Sequence, residues 1–164
     1  MAIDITLIQK LREETGAGIA DVKAALENSN GDEAKALEFL REKGAKAAAK
    51  RADRVTTEGI VYAYIHTNQT LGVLWSLGCE TDFVARNDKF KELAHDIALH
   101  IAAMQPKYLK TEDVPADETE EKALLDQEFI KDDSMTVRQL LESKTGVIGE
   151  KIEITNFTIQ KIGA

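Results

Sequence analysis

The stretch "GIVYAYIHTNQTLGVLWSLGCETDFVARN", residues 59–87, decides the fold. GIVYAYIH (59–66) and TLGVLWSLGC (70–79) are β-rich runs, and the short polar TNQ between them reads as a hairpin turn. In the second run Leu71, Val73, Trp75, Leu77 and Cys79 alternate onto one face, with mostly smaller or polar residues on the other. Past Cys79, Phe83 stands beside Asp82 in what reads as a loop. Asn87 can then cap a helix in which Phe90, Leu93, Ala94, Ile97, Ala98 and Ile101 line one side. That helix is expected to run to about Met104 and to stop at Pro106.

Working toward the C-terminus, a second helix is expected around Glu118–Phe129, acidic on its outer face, and a short third one over Val137–Ser143. The chain closes on KIEITNFTIQKI (151–162), which alternates like a strand. Its inward set slips from Ile152 and Ile154 to Phe157 and Ile159, so a bulge is expected near Thr155 and Asn156. Three strands with one apolar face need a cover, either the helix from Asn87 or a second copy of the sheet.

Working toward the N-terminus, the period changes. Residues 4–43 read as three short helices: Ile5, Ile8 and Leu11 recur at helical spacing, then Ile19, Val22 and Leu26, then Ala36, Leu37 and Leu40. TGAG (15–18) and NSNGD (28–32) break them with residues that accept positive φ or cap a helix. GAKAAAKRADR (44–54) has no apolar stripe. It reads as an exposed helical linker, since no aromatic is interleaved to stack on bases. The expected fold class is therefore α+β. A three-helix bundle over residues 1–44 leads through a basic Ala/Lys-rich linker over 45–56 to a three-stranded antiparallel sheet packed with helices over 57–164.

A chain of 164 residues, 43% hydrophobic and 30% charged, has room for one moderate core and a small extra module. No apolar run approaches the roughly 20 residues that span a bilayer, and the start is amphipathic and acid-bearing rather than signal-like, so a cytoplasmic protein is expected. Charge is unevenly spread. Lys43–Arg54 holds five cations against Asp53, a local +4, which leaves −12 for the rest of a chain whose net charge is −8. Glu112–Asp133 holds ten acids against Lys122 and Lys131, or −8. Nucleic acid is not an expected partner, because an acidic chain lacks the phosphate-neutralising contribution that dominates such binding.

Catalytic chemistry finds little to stand on. TGAG lacks the Gly-Lys-Ser/Thr ending of a phosphate loop and joins helix to helix. His95 and His100 are five apart, about 140° around a helix, and cannot chelate one ion as an i, i+4 pair can. The lone Cys79 excludes an internal disulfide and reads as a small buried hydrophobe at a strand end. No cofactor, metal or enzymatic activity is expected. Phe83 keeps two readings on these grounds: a hydrophobic staple on the first turn of the helix capped by Asn87, or an exposed probe for a partner.

Two segments carry a resemblance. LREETGAGIADVKAAL (11–26) follows the pattern Leu-Arg-x-x-Thr-Gly-x-Gly, then Asp-x-Lys and Ala-Leu. CETDFVARN keeps Thr81, Asp82, Phe83 and Val84. Together, and separated by an Ala/Lys linker, they resemble the signature segments of bacterial elongation factor Ts. The likeness continues through HIAAMQPKYL (100–109), QEFIKDD (127–133) and the final strand.

The resemblance implies a guanine-nucleotide exchange factor for elongation factor Tu, with an N-terminal module like ubiquitin-associated domains. It implies that Thr81, Asp82, Phe83 and Val84 form a wedge whose aromatic enters the GTPase domain near its magnesium. Ile19, Ala20 and Lys23 would form the docking face, and His100 would lie on a helix that also approaches the GTPase. Short members of the family tend to dimerise through the sheet, so a homodimer is expected. The runner-up function is a non-exchange adaptor whose helical module binds another partner. Two departures stand out. Ser76 and Gly78 replace the usual Glu-x-Asn before the Thr-Asp-Phe run, and Leu124-Leu125-Asp126 runs almost directly into Gln127-Glu128-Phe129, shortening the middle of the chain.

Overall fold

A computed structural model describes residues 4–163; residues 1–3 of the expected helical module, and residue 164, lie outside the described residues. In chain order the elements are α1 (Ile5–Thr15), α2 (Ile19–Asn28), α3 (Glu33–Lys50), β1 (Glu58–Ile65), β2 (Leu71–Cys79), α4 (Asp82–Ala85) and α5 (Asp88–Met104). After two 3-10 turns, Thr111–Asp113 and Leu124–Asp126, come β3 (Glu128–Phe129), β4 (Asp132–Thr136), α6 (Val137–Ile148) and β5 (Glu153–Lys161). The chain is therefore α+β. It divides into a helical unit, Met1–Asp53 with Glu142–Gly149, and a sheet unit, Arg54–Leu141 with Glu150–Ala164.

In the helical unit several helix ends have a local cause. Asp4 caps α1 by accepting from Thr6 N at 2.9 Å. Gly16 ends it in the left-handed region at φ 72°, where glycine carries no Cβ penalty. Asp32 caps α3 by accepting from Lys35 N. The core collects Ile8, Leu11, Ala17, Val22, Ala25, Leu26 and Ala36, with Leu7, Leu37 and Leu40 packed against it. α3 does not stop at Gly44. It runs on to Lys50, so the basic stretch forms its last turns. Gly44 is buried because the last turns of α6 cross it: a Cβ on Gly146 would lie 2.9 Å from the Gly44 Cα.

The sheet unit has strand order β1-β2-β5, antiparallel throughout. Leu71, Val73, Trp75, Leu77 and Cys79 all face inward and are buried. α5 lies against β1 and β2 and buries Phe90, Leu93, Ala94, Ile97, Ala98 and Ile101. Asn87 caps it by accepting from Lys89 N, and Gln105 closes it one residue before Pro106. The bulge falls where the apolar pattern slips. Ser76 pairs with Asn156 and Leu77 with Ile154, leaving Thr155 as the extra residue.

Two expectations in this unit are corrected. Glu118–Phe129 is not a helix but turns, the 3-10 turn at Leu124 and the start of a short hairpin, β3 with β4. Its backbone finds partners elsewhere: Leu124 N donates to Tyr108 O at 2.8 Å and Leu125 N to Leu109 O at 3.2 Å. Lys107 bridges Glu118 and Glu121, replacing a helical arrangement that would stack acids on one face. The helix at Val137 is longer than expected. Thr136 and Gln139 form a reciprocal capping box at its start, and it passes through Gly146 to Ile148. The sheet's second face carries exposed apolar side chains among its smaller and polar residues: Val61, Ile65 and Leu74 are 73%, 64% and 54% exposed.

Candidate functional site: a braced loop and a helical face

The loop between β2 and α5 is assembled from its base upward. At the end of β2 the buried Cys79 thiol donates to Thr81 O at 3.2 Å. Burial, with Glu150 nearby, pushes that thiol up to about 11, which keeps it protonated and a donor. Glu150 then takes three hydrogen bonds from two consecutive residues. Its Oε2 accepts from Glu80 N at 3.1 Å and Thr81 N at 3.0 Å, and its Oε1 from the Thr81 hydroxyl at 2.6 Å. In return Lys151 N donates to Glu80 Oε1 at 2.7 Å.

On this base Thr81 starts the single-turn helix α4, with Ala85 N donating to Thr81 O and Arg86 N to Asp82 O. Ala85 is buried and anchors the turn inward. Asp82 is bridged by Arg86 at 3.2 Å. Phe83 projects outward at 83% exposure, so its ring is not a staple on α5. Val84 is half-buried beside it. The substituted positions have a structural account. The Ser76 hydroxyl pairs with the Thr155 hydroxyl at the bulge, and a Cβ on Gly78 would meet Thr56 and Thr155 at 3.0–3.2 Å.

His100 does not share this exposure. It is fully buried on α5, where Nδ1 accepts from Ile130 N at 3.1 Å, leaving Nε2 to donate to Gln127 Oε1 at 2.9 Å. Burial holds its pKa below the usual imidazole value. This histidine ties α5 to the β3–β4 hairpin and presents no ring to solvent. In the helical unit, Ile19, Ala20 and Lys23 all lie exposed on the first turns of α2, Ile19 at 50%, while Val22, Ala25 and Leu26 face the core.

The sequence does not announce that the Cys79 thiol, Glu150 and Lys151 hold this loop. Glu150 is some 70 positions from the amides it holds, and no local spacing announces such a pair. Among the described residues no group of three His, Cys, Asp or Glu side chains is placed to hold a metal ion, and no helix is long and apolar enough to cross a membrane.

Fold and loop together define an α+β protein that presents an aromatic side chain on a braced surface turn. The family model described as Elongation factor TS matches residues 5–123. The chain is 43% identical to the elongation factor Ts of Thermotoga maritima, covering 99% of this chain and 98% of that one. It is 43% identical to that of Carboxydothermus hydrogenoformans, covering 96% and 88%, and 40% identical to that of Fervidobacterium nodosum, covering 99% and 100%. The chain belongs to the elongation factor Ts family, whose members serve translation elongation. The Thermotoga alignment runs over 194 positions against 164 residues here, so that relative carries residues this chain lacks.

Proposed function

We propose that this protein is a guanine-nucleotide exchange factor that binds elongation factor Tu and promotes GDP release. The observation that carries the reading is Phe83, a large apolar ring left in water beside Asp82 on a turn pinned at its base. An exposed aromatic held without packing of its own suits a binding hot spot. Thr81, Asp82, Phe83 and Val84 act as the wedge, and Ile19, Ala20 and Lys23 dock on the GTPase domain. His100, being buried, contributes by holding the hairpin rather than by touching the partner.

The mechanism is one of differential affinity. Nucleotide and magnesium hold the GTPase through phosphate contacts, and a protein that binds the nucleotide-free state better shifts the population toward it. No bond is made or broken, so the role calls for no cofactor or metal of the factor's own. Release of fluorescent GDP from elongation factor Tu should accelerate at micromolar concentrations of this protein; no acceleration would end the proposal.

A homodimer through the sheet is part of the same reading. Val61 and Ile65 of β1 and Leu74 of β2 lie on the face that α5 leaves uncovered, and a second copy would bury them.

A further inference from the structure

We propose that Glu150 is the positioning residue for the loop that carries Phe83, and that it acts through hydrogen-bond geometry rather than through its charge. This rests on the exchange reading above for its functional consequence, though not for its structural content. One carboxylate collects the three donors that immediately precede Asp82: the amides of Glu80 and Thr81 and the Thr81 hydroxyl. The adjacent residue returns the contact, Lys151 N to the Glu80 carboxylate. Two strand ends far apart in sequence are thereby clasped in both directions.

Phe83 cannot hold itself. At 83% exposure it has almost no packing, so its direction in space is inherited from Thr81, two residues earlier. The α4 bonds, Ala85 N to Thr81 O and Arg86 N to Asp82 O, tie the turn to itself; anchored only at Ala85 and Asn87, that turn could still pivot as a unit at its leading end. The Cys79 thiol adds one bond to the Thr81 carbonyl, but a thiol is a weak donor. Glu150 adds three bonds that reach the leading end from outside the segment between β2 and α5.

Geometry and charge make different predictions. A glutamine at 150 can accept both amides on its carbonyl oxygen and donate from its amide group to the Thr81 hydroxyl, which can act as acceptor. It keeps the clasp without the charge. Alanine removes the clasp, and aspartate, one methylene shorter, cannot reach all three donors.

The test compares wild type, Glu150→Ala, Glu150→Gln and Glu150→Asp as full chains. Amide hydrogen exchange at Glu80 and Thr81 is measured on the free proteins. GDP release from elongation factor Tu is measured as a function of factor concentration. Glu150→Ala should expose both amides to exchange and lower the maximal release rate by roughly 10- to 100-fold, the scale expected of a misplaced group. The half-saturating concentration should move less, since the face at Ile19 is untouched.

Glu150→Gln should stay close to wild type in both readouts. If Glu150→Ala does not fold at the assay temperature, the contrast of Asp with Gln carries the same decision. Unchanged amide protection and release rate in Glu150→Ala, or in Glu150→Asp where Ala does not fold, would overturn the proposal, as would a Gln variant as impaired as Asp. Should wild type itself fail to release GDP, the exchange reading falls, and the amide data still judge the clasp.

Discussion

Gly146 meets Gly44 where the last turns of α6 cross α3, and the approach leaves no room for a methyl group on either side. A Cβ on Gly146 would lie 2.9 Å from the Gly44 Cα, and one on Gly44 would lie 3.0 Å from the Ser143 Cα. Both obstacles are backbone and cannot rotate away. Gly146→Ala gains about 1 kcal/mol in helix propensity but incurs an overpacking cost of about 1–3 kcal/mol. The expected net is a loss of stability. Chemical denaturation should show a lower midpoint, and a midpoint at or above wild type would mean the helices separate without cost.

Phe83→Ala should divide function from stability. Removing a ring this exposed changes folding free energy by no more than about 0.5 kcal/mol. Removing a hot-spot aromatic costs about 2 kcal/mol of binding, roughly thirtyfold. GDP release should therefore fall while the melting temperature holds. A large drop in melting temperature would return the ring to a structural role.

A charge on the open sheet face tests the dimer. Leu74→Lys sits near its centre, opposite Ala63 and flanked by Val61 and Ile65 on β1. Sedimentation at high concentration should show a dimer for wild type and a monomer for the variant. A monomer mass for both would remove the self-association reading.

His100 predicts a slope of stability against pH. Burial lowers its folded pKa, so the unfolded chain binds the proton more readily. The neutral ring's contribution is fully present above the unfolded value of about 6.5 and is lost as pH falls toward the lowered folded value. Denaturation midpoints should drop on acidification below about pH 6.5, and His100→Gln should flatten that part of the slope. An equal slope in both proteins would place the titration elsewhere.

Where apolar periodicity and caps act locally, the sequence is a sound guide to this fold. The hairpin, α5 from its Asn87 cap to Met104, and the bulge at Thr155 follow from residues within a few positions of each other. What escaped depends on distant partners. Leu124 and Leu125 look like part of an amphipathic helix, yet their amides bond to Tyr108 and Leu109. The helix from Val137 looks finished at Ser143, yet it runs on past Gly146, which lies across from Gly44. Phe83 was ambiguous for the same reason, because an aromatic in a loop is exposed or buried according to what lies opposite, and nothing does. The brace at Glu150 left no local mark.

Thr155 bears on how the last strand can change length. It is the unpaired residue between Ile154, which faces Leu77, and Asn156, which faces Ser76. Deleting it would join an inward isoleucine to an outward asparagine and an inward phenylalanine, an unbroken alternation. Deleting Asn156 would restore the same alternation with Thr155 in the outward place, whereas losing a residue farther along the strand would turn part of it inside out. A residue lost at 155 or 156 would leave the strand's inward face in register. Loss of Thr155 itself would also remove the hydroxyl partner of Ser76 and the methyl beside Gly78, so the damage is confined to the bulge within an otherwise register-locked strand.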